Sequence, residues 1–176
     1  MLPQLRDDDL LVRPGRESDA NAVRAVYSEP DIRRWMGWDD RPPDEAEARA
    51  NIERAALAWD ERAWAVFRIV DAATDDVVGG VNLRLGDHAV AEVSYFLRAS
   101  ARGRGFATRA VRLVAGWAFE ELSVERIELR VHPENTASRR VAERAGFTRE
   151  GVERASRAWP DGTRFDSLVY SLLPSD

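Results

Sequence analysis

Two hydrophobic periods alternate along this chain, and the switches between them predict its secondary structure. From Val90 to Leu97, apolar and polar residues alternate with the two-residue period of a β-strand. From Phe106 to Phe119, apolar residues recur every three or four positions, which is the period of an amphipathic helix. A short loop rich in glycine and arginine, Ala101 to Gly105, joins the two elements. This strand–loop–helix unit is the best-defined local pattern in the sequence.

The same periods predict the remaining elements. Further strands are expected at Leu10–Pro14, Ala63–Val70, Val77–Leu85, Arg126–Val131, Phe147–Ala158 and Arg164–Leu172. Helices are expected from Ser18 or Asp19 to Tyr27 or Ser28, at Asp31–Met36, at Asp44–Glu61, and from Asn135 or Thr136 to Ala145. Three successive strands before the glycine loop predict an antiparallel meander, which does not suit a Rossmann unit because there the loop follows the first strand. We therefore expect one α+β domain over residues 1–176.

Glycines and prolines mark the boundaries of these elements. Gly146 is expected to end a helix as its C-cap, and Pro160–Gly162 is expected to form a hairpin turn. Gly79 and Gly80 lie inside a predicted strand, which indicates a bulge or a close approach of backbone. A loop is expected over Gly37–Pro43.

Composition excludes several kinds of catalyst. The chain has no cysteine, so disulfides, thiolate nucleophiles and cysteine-bound metals are excluded together. Every basic residue is arginine, and without lysine a Walker-type nucleotide loop, a Schiff base and a pyridoxal site are excluded as well. The two histidines, His88 and His132, have no partner at ligand spacing, so no metal site is expected.

Charge and hydropathy narrow the choice of partners. A net charge of −5 argues against nucleic acid as a partner. Residues 1–90 hold 12 Arg and 19 acidic residues, a net of −7, whereas residues 91–176 hold 14 Arg and 12 acidic residues, a net of +2. This division suits an anionic cofactor and a cationic acceptor. No apolar run approaches the ~20 residues of a membrane span, and the N-terminus has no signal-peptide character, so we expect no membrane partner and a cytoplasmic location.

The loop rich in glycine and arginine is a candidate anion site. Gly103 and Gly105 allow the backbone to bend with its N–H groups turned inward, at a helix start where N–H donors are already unpaired. Arg102 and Arg104 add fixed positive charge, so the loop suits a phosphate-bearing ligand. The alternative is an ordinary strand-to-helix turn with solvated arginines.

Two motifs, in order along the chain, carry a resemblance to a known family. Arg102-x-x-Gly105-x-Ala107 resembles the Q/R-x-x-G-x-G/A motif of the GNAT N-acetyltransferase superfamily, whose loop binds the pyrophosphate of coenzyme A. Asn135-Thr-Ala-Ser138, followed by Gly146-Phe147, resembles the second motif of that superfamily in its RimJ/RimL branch. The similarity extends from about Leu11 to Tyr170. It implies a GNAT-like mixed fold with a mostly antiparallel central sheet flanked by helices.

The resemblance implies an acetyl-CoA-dependent N-acetyltransferase in which a primary amine attacks the donor directly. The pantetheine arm is expected along the backbone of residues 96–98 like an added strand, where a backbone N–H would polarise the thioester, and the diphosphate is expected at the loop. The implied cofactor-binding residues are Phe96, Leu97, Arg98, Arg102, Gly103, Arg104, Gly105, Phe106, Ala107, Thr108 and Asn135. No metal is expected.

Two residues are candidates for the proton transfers of this reaction. Glu92 is the candidate general base, because it precedes the expected pantetheine contact in an otherwise apolar stretch of the same strand. The alternative is a carboxylate paired with arginine, with a water as the base. Many members of the superfamily protonate the leaving thiolate with a Tyr seven residues past the Asn, but Ala142 occupies that position. Ser138 is then the candidate acid, although a serine at a helix start also serves as a local backbone partner.

The acceptor site is the least defined part of the prediction. Trp35 and Trp38 flank the beginning of the predicted loop, where the family places an acceptor pocket, and Tyr95 lies near both proton-transfer candidates. Core packing is the alternative for all three. The acceptor is expected to be a protein N-terminal α-amine or a small-molecule amine. Another donor such as succinyl-CoA, a non-catalytic CoA-binding or protein-interaction module, and a homodimer through aromatics such as Trp159 are left open.

Overall fold

The computed structural model describes residues 1–38 and 41–176, in which eight strands form one sheet. The strands are β1 (Leu5–Asp7), β2 (Leu10–Arg13), β3 (Trp64–Asp71), β4 (Asp76–Leu85), β5 (Val90–Leu97), β6 (Arg126–Val131), β7 (Thr148–Ala158) and β8 (Arg164–Leu172). The helices are α1 (Ala20–Tyr27), α2 (Pro30–Met36), α3 (Glu45–Asp60), α4 (Phe106–Glu121) and α5 (Thr136–Ala145). Two residues of the predicted loop Gly37–Pro43, Asp39 and Asp40, lie outside the described residues.

The sheet has the order β1-β2-β3-β4-β5-β6-β8-β7, and only β5 and β6 run parallel. These two strands pair over three residues each, Val90–Glu92 opposite Arg126–Glu128. On its other side, β5 pairs with β4 as far as Leu97. Within the described sheet, the second half of β5 therefore has no strand partner on the β6 side, and a cleft opens there.

Helices cover both faces of the antiparallel part of the sheet. α4 contacts β1, β2, β4, β5 and α5, whereas α1 and α3 pack together against β4 and β3. The alternation along β5 explains this division. Val93 and Leu97 belong to the main core together with the buried residues of α4, and Phe96 packs against Val26 of α1 and Ile32 of α2.

The predicted elements are confirmed, with shifts of one or two residues at several ends. β5, β6 and β8 have the predicted bounds, and α4 extends two residues further, to Glu121. α2 begins at Pro30 rather than at Asp31, because the first helical position tolerates a residue without an N–H. The hydrophobic pattern did not predict β1, whose three residues are too few to show a period. Gly146 ends α5 with φ 101°, as predicted for a C-cap.

Gly79 and Gly80 mark both features that the sequence indicated. One extra residue of β4, Val78, forms a bulge opposite β3. A Cβ on Gly79 would lie 2.2 Å from the carbonyl oxygen of Phe96, and one on Gly80 would lie 2.6 Å from the Phe96 ring. Only glycine lets β4 approach this closely, so the two glycines fix the position of the strand that borders the cleft.

Candidate active site

A cleft of about 350 Å³ lies beside the unpaired half of β5, facing α5. Most of the predicted cofactor-binding residues line it: Phe96, Leu97, Arg102, Gly103, Gly105, Phe106, Ala107, Thr108 and Asn135. Ser138, Tyr95 and Trp35 line the same cleft. Arg98 and Arg104 are not among its lining residues. The structure thus brings together two motifs whose first residues, Arg102 and Asn135, lie 33 positions apart in the chain.

The loop before α4 has the backbone geometry of an anion site. Gly103 and Gly105 have φ angles of 82° and 79°, in the left-handed region that favours glycine. Gly105 is the N-cap of α4, and the first N–H groups of a helix have no intrahelical acceptor. A Cβ on Gly103 would meet nothing within 4 Å, so the loop is open on that side. Its N–H groups are therefore accessible donors for a phosphate.

Arg102 lines the cleft beside these N–H groups. Its Nε donates to the carbonyl oxygen of Leu97 at 3.2 Å, and its Nη1 donates to the carboxylate of Asp31 at 3.0 Å. Both arginine and carboxylate are exposed, so an anionic ligand competes for Arg102 at little cost.

Arg104 and Arg98 point to other partners. Arg104 donates to the carboxylates of Asp71 and Asp9, the second at 3.2 Å. Arg98 lies 3.6 Å from the carboxylate of Glu29. The binding of coenzyme A by these two side chains stays a prediction, and neither contributes to the lining of the cleft.

Tyr95 and Ser138 meet inside the cleft, one from β5 and the other from α5. Their hydroxyl oxygens are 2.8 Å apart, and the Tyr95 hydroxyl also donates to the carbonyl oxygen of Ser138 at 3.0 Å. Burial raises the pKa of the Tyr95 phenol well above its ordinary value, although the hydrogen bond with Ser138 opposes the shift. The phenol therefore stays protonated at neutral pH and is a hydrogen-bond donor.

Asn135 fixes the start of α5, where Ser138 lies. Its side-chain oxygen accepts the N–H of Ser138 at 3.0 Å, the geometry of a helix cap. Ala142 is fully buried one turn further on. Ala142 thus supplies no hydroxyl, and the phenol of Tyr95 reaches Ser138 from the facing strand.

Glu92 is surrounded by three arginines. Its carboxylate accepts from Arg84 at 2.7 Å, from Arg130 at 3.4 Å, and from Arg157. These partners lie on β4, β6 and β7, so the carboxylate links strands on either side of β5. Glu92 lines neither the cleft nor the second cavity described below. These contacts fit the alternative given for Glu92, a carboxylate paired with arginine. Its role as general base stays a prediction.

A second cavity of about 680 Å³ lies between α3 and the strands β3 to β5. Its aromatic lining residues are Tyr27, Trp38 and Trp64, and its floor includes the polar side chains Asn82 and Ser94. Arg68, which is almost fully buried, donates to the hydroxyl of Tyr27 at 2.8 Å and to Asn51 at 2.9 Å, which fixes one wall.

The structure separates the two tryptophans that the sequence analysis grouped together. Trp35 lines the cleft, whereas Trp38 lines the second cavity and packs against Tyr27 with ring centroids 4.7 Å apart. Met36, between them in the chain, lines both spaces. The cleft and the second cavity are therefore neighbours that share a side chain.

Residues on one side of α5 line the cleft and were missed by the sequence analysis: Ala137, Arg140, Val141 and Arg144. They recur at the three- and four-residue spacing of a helix face, and Val141 lies three positions after the predicted Ser138. That spacing is the signal that could have identified them. Arg140 and Arg144 add exposed positive charge to the wall that faces the loop.

His132 belongs to an aromatic cluster at the end of β6. Its ring lies 5.4 Å from those of Trp35 and Trp159 and 4.9 Å from that of Phe165. Trp159 therefore has partners within the chain, and a homodimer through it stays a prediction. Within residues 1–38 and 41–176, no group of three His, Asp or Glu side chains is arranged to hold a metal ion. No helix in that part of the chain is both long and apolar enough to cross a membrane.

The unpaired strand edge, the glycine loop and the capped helix α5 together define the class of protein. The family model described as an acetyltransferase (GNAT) domain matches residues 9–148. The chain therefore belongs to the GNAT acetyltransferase family, and it is an N-acetyltransferase, as its relatives are.

The similarity to several relatives extends over nearly the whole chain. The uncharacterized N-acetyltransferase YoaA of Bacillus subtilis (strain 168) is 29% identical over 175 residues, covering 98% of each chain. The uncharacterized N-acetyltransferase p20 of Bacillus licheniformis is 30% identical over 171 residues, covering 96% of this chain and 95% of its own. The structure of the ribosomal-protein α-N-acetyltransferase RimL with coenzyme A matches with a TM-score of 0.84 at 18% identity, over 97% of this chain and 98% of that one. The GNAT-like fold and the RimJ/RimL resemblance are thereby confirmed.

Proposed function

We propose that this N-acetyltransferase uses acetyl-CoA as its donor and acetylates a primary amine by direct attack, the acceptor being a protein N-terminal α-amine. The Tyr95–Ser138 hydroxyl pair in the cleft carries the proposal, because it supplies a proton where a departing thiolate needs one. A covalent acetyl-enzyme has no support, since the chain has no cysteine and the Ser138 hydroxyl contacts the Tyr95 phenol rather than a histidine base.

The groups that line the cleft fit coenzyme A. The open N–H groups of the glycine loop and the guanidinium of Arg102 suit a diphosphate, and Arg140 and Arg144 lie on the opposite wall. The free edge of β5 beyond Glu92 offers backbone donors and acceptors to an extended amide chain. Bound in this cleft, acetyl-CoA would supply an acetyl group activated as a thioester.

Ser138 is the proposed general acid, with Tyr95 as its partner. The hydroxyl of Ser138 would give its proton to the departing sulfur and regain one from solvent. The Tyr95 phenol, which in this structure donates to the Ser138 carbonyl oxygen, would turn its hydrogen bond to the serine oxygen as that oxygen loses its proton. Because the raised pKa of Tyr95 keeps the phenol protonated, this donor is present over the whole neutral range. The Asn135 cap holds the Ser138 backbone in place during the transfer.

The acceptor amine must lose its proton before or during attack. An α-amine titrates near ~8, so about a tenth of it is already neutral at pH 7. Glu92 is the candidate base from the sequence, but its three guanidinium partners and its distance from the cavity linings favour a water instead.

The second cavity is the proposed acceptor site. It adjoins the cleft at Met36, and its volume of about 680 Å³ accommodates several residues of a peptide as well as the amine. RimL, whose structure has the same fold, is a ribosomal-protein α-N-acetyltransferase. A protein N-terminus is therefore favoured over a small-molecule amine.

Release of free thiol from acetyl-CoA tests the proposal directly. The purified protein is incubated with peptides that carry free N-termini and, separately, with a panel of small amines. We expect Ser138→Ala to lower kcat about 100-fold and Tyr95→Phe about tenfold, with the KM for acetyl-CoA changed less than about twofold, because a general acid acts in the transition state. Ser100→Ala, at an exposed turn, is the matched control.

Three outcomes would contradict separate parts of the proposal. If Ser138→Ala and Tyr95→Phe both kept the wild-type turnover rate, Ser138 would not be the general acid. If the enzyme acetylated small amines but no peptide, the acceptor would be a small-molecule amine and not a protein N-terminus. Preference for succinyl-CoA over acetyl-CoA would replace the proposed donor.

A further inference from the structure

Two arginines at the start of α4 are held by carboxylates from other elements. Arg104 donates to Asp71 at the end of β3 and to Asp9 at the start of β2. Arg109, one turn into α4, donates from Nε to Asp7 at 2.6 Å and from Nη1 to Asp9 at 2.9 Å. The loop that bears Arg104 is therefore attached to two strand turns that lie more than 30 and more than 90 residues earlier in the chain.

The carboxylates are themselves fixed in place. Asp71 is buried, and its second oxygen accepts the N–H of Ala73 at 3.1 Å. The carbonyl oxygen of Asp9 accepts the N–H of Ala72 at 2.8 Å, which joins the β1–β2 turn to the β3–β4 turn. The hydrogen bond from Arg104 lowers the pKa of Asp71, so this carboxylate is ionised at neutral pH.

Arg104 is the residue through which this anchor reaches the loop. It lies between Gly103 and Gly105, whose positive φ angles belong to a backbone that would otherwise be free to change conformation. Its guanidinium also stacks over the ring of Phe106, 4.2 Å from the centroid, and Phe106 is buried. Because two carboxylates and the Phe106 ring hold the guanidinium of Arg104, this side chain would restrict the loop to one arrangement of N–H groups and so lower the entropy lost when a ligand binds.

We propose that Arg104 is a positioning residue: Asp9 and Asp71 hold its side chain so that the neighbouring backbone N–H groups, rather than its own guanidinium, bind the diphosphate. The inference rests on the proposed coenzyme A donor. In the rival arrangement, Arg104 leaves the carboxylates and binds a phosphate directly. Removing the Asp71 charge should raise the Kd for coenzyme A in the first arrangement, because there the carboxylate supports binding. It should lower the Kd in the second, because there the carboxylate competes with the phosphate for Arg104.

Calorimetry with coenzyme A alone measures whether the Kd rises or falls. We expect Asp71→Asn and Arg104→Gln each to raise the Kd about fivefold, and the double variant to raise it no further, because both changes break the same contact. Saturating kcat should change less than about twofold, since the chemistry is untouched. Amide hydrogen exchange of residues 103–107 in the free protein should accelerate in all three variants, a readout that needs no turnover.

Asp75→Asn is the matched control. Asp75 is an exposed residue of the β3–β4 turn, and its arginine neighbour is Arg16, 3.9 Å away, so the variant removes the same charge without touching Arg104. Its Kd should equal that of the wild type. Asp9→Asn is the second test, should Asp71→Asn unfold, and it should raise the Kd about twofold because Asp9 is the more exposed and more weakly coupled partner.

The inference is overturned if Asp71→Asn binds coenzyme A more tightly than the wild type, if the two single effects add in the double variant, or if Asp71→Asn and Asp75→Asn behave alike. A wild type that produces no heat with coenzyme A would overturn the proposed donor instead. The exchange rates of residues 103–107 would then still decide whether Arg104 orders the loop.

Discussion

The cleft and the second cavity are adjacent, yet the chain builds them in different ways. The cleft comes mostly from one continuous stretch, residues 95–108, together with one side of α5. The second cavity takes six lining residues from α3 and one or two each from α1, α2, β3, β4 and β5, so its wall combines six elements. The cleft offers mainly backbone groups to a ligand, whereas the second cavity offers mainly side chains.

This difference bears on which part of the enzyme is general and which is specific. Backbone N–H groups bind a phosphate whatever side chains surround them, provided that glycines permit the conformation. A cavity lined by aromatic and polar side chains selects its ligand by shape and hydrogen bonding, and it changes with every substitution. We therefore expect donor binding to depend on the loop backbone and acceptor choice to depend on residues such as Trp38.

Gly105→Val should have the largest effect on the cleft. The φ of 79° is strained for a β-branched residue by about 1–3 kcal/mol, and relief of that strain would turn the loop N–H groups away. We expect the Kd for coenzyme A to rise roughly 100-fold by calorimetry, with the far-UV circular dichroism unchanged. Gly116→Ala, inside α4 where a Cβ meets nothing within 4 Å, is the control and should bind normally. Normal binding by Gly105→Val would contradict a site made of backbone.

Variants of the two tryptophans should separate acceptor binding in the second cavity from coenzyme A binding in the cleft. Trp38→Ala is expected to raise the KM for the acceptor about tenfold and the Kd for coenzyme A less than about twofold, because Trp38 lines the second cavity, not the cleft, and contacts the lining of the cleft through the ring of Phe96. Trp35→Ala, on the cleft, should have the reverse pattern. The comparison of the two sites would be wrong if both variants altered the same constant.

The sequence predicted the cleft better than the second cavity for the same physical reason. A motif of six residues, Arg102–Ala107, is enough to recognise a backbone loop at a helix start, and Asn135–Ser138 is enough to recognise a capped helix. The hydrophobic periods likewise predicted β5, β6 and β8 with correct ends. In each case the signal and the structure lie within one short segment.

Features that depend on distant segments were not predictable. The family resemblance placed Tyr95 near both proton-transfer candidates, but the hydrogen bond between Tyr95 and Ser138 joins residues 43 positions apart, and neither hydroxyl signals the other in the sequence. The attachment of Arg104 to Asp71 and Asp9 also depends on how the strands pair. The hydrophobic period and the turn residues of one segment carry no information about which distant segment it will contact.

Glu92→Gln decides whether this carboxylate acts in catalysis or only in structure. If the arginine-paired carboxylate has only a structural role, we expect kcat/KM for both substrates to fall less than about threefold, whereas loss of a general base costs about 100-fold or more. Thermal unfolding should shift down slightly, because Arg84 and Arg130 lose part of a shared partner. Glu120→Gln, an exposed change on α4, is the control. A loss of 100-fold, with the alkaline shift in the pH profile that a missing base produces, would restore Glu92 as the base.

The smallest expected effect concerns the polar face of β6, β7 and β8, which lies apart from both spaces. Glu150 accepts hydrogen bonds from Arg126 and from Ser171, and the Arg126 guanidinium is the main reason that its pKa falls from 4.5 to about 2. Because the folded-state pKa is the lower one, this contribution to stability is fully present above about pH 4.5 and is lost as the pH falls towards 2. The melting temperature of Glu150→Gln should therefore lie slightly below that of the wild type at pH 7 and should converge with it near pH 2. The exposed pair is screened by salt, so the gap should also narrow at high ionic strength, while both KM values stay unchanged. A gap that persists at pH 2, or a changed KM, would mean that this face is coupled to one of the two sites.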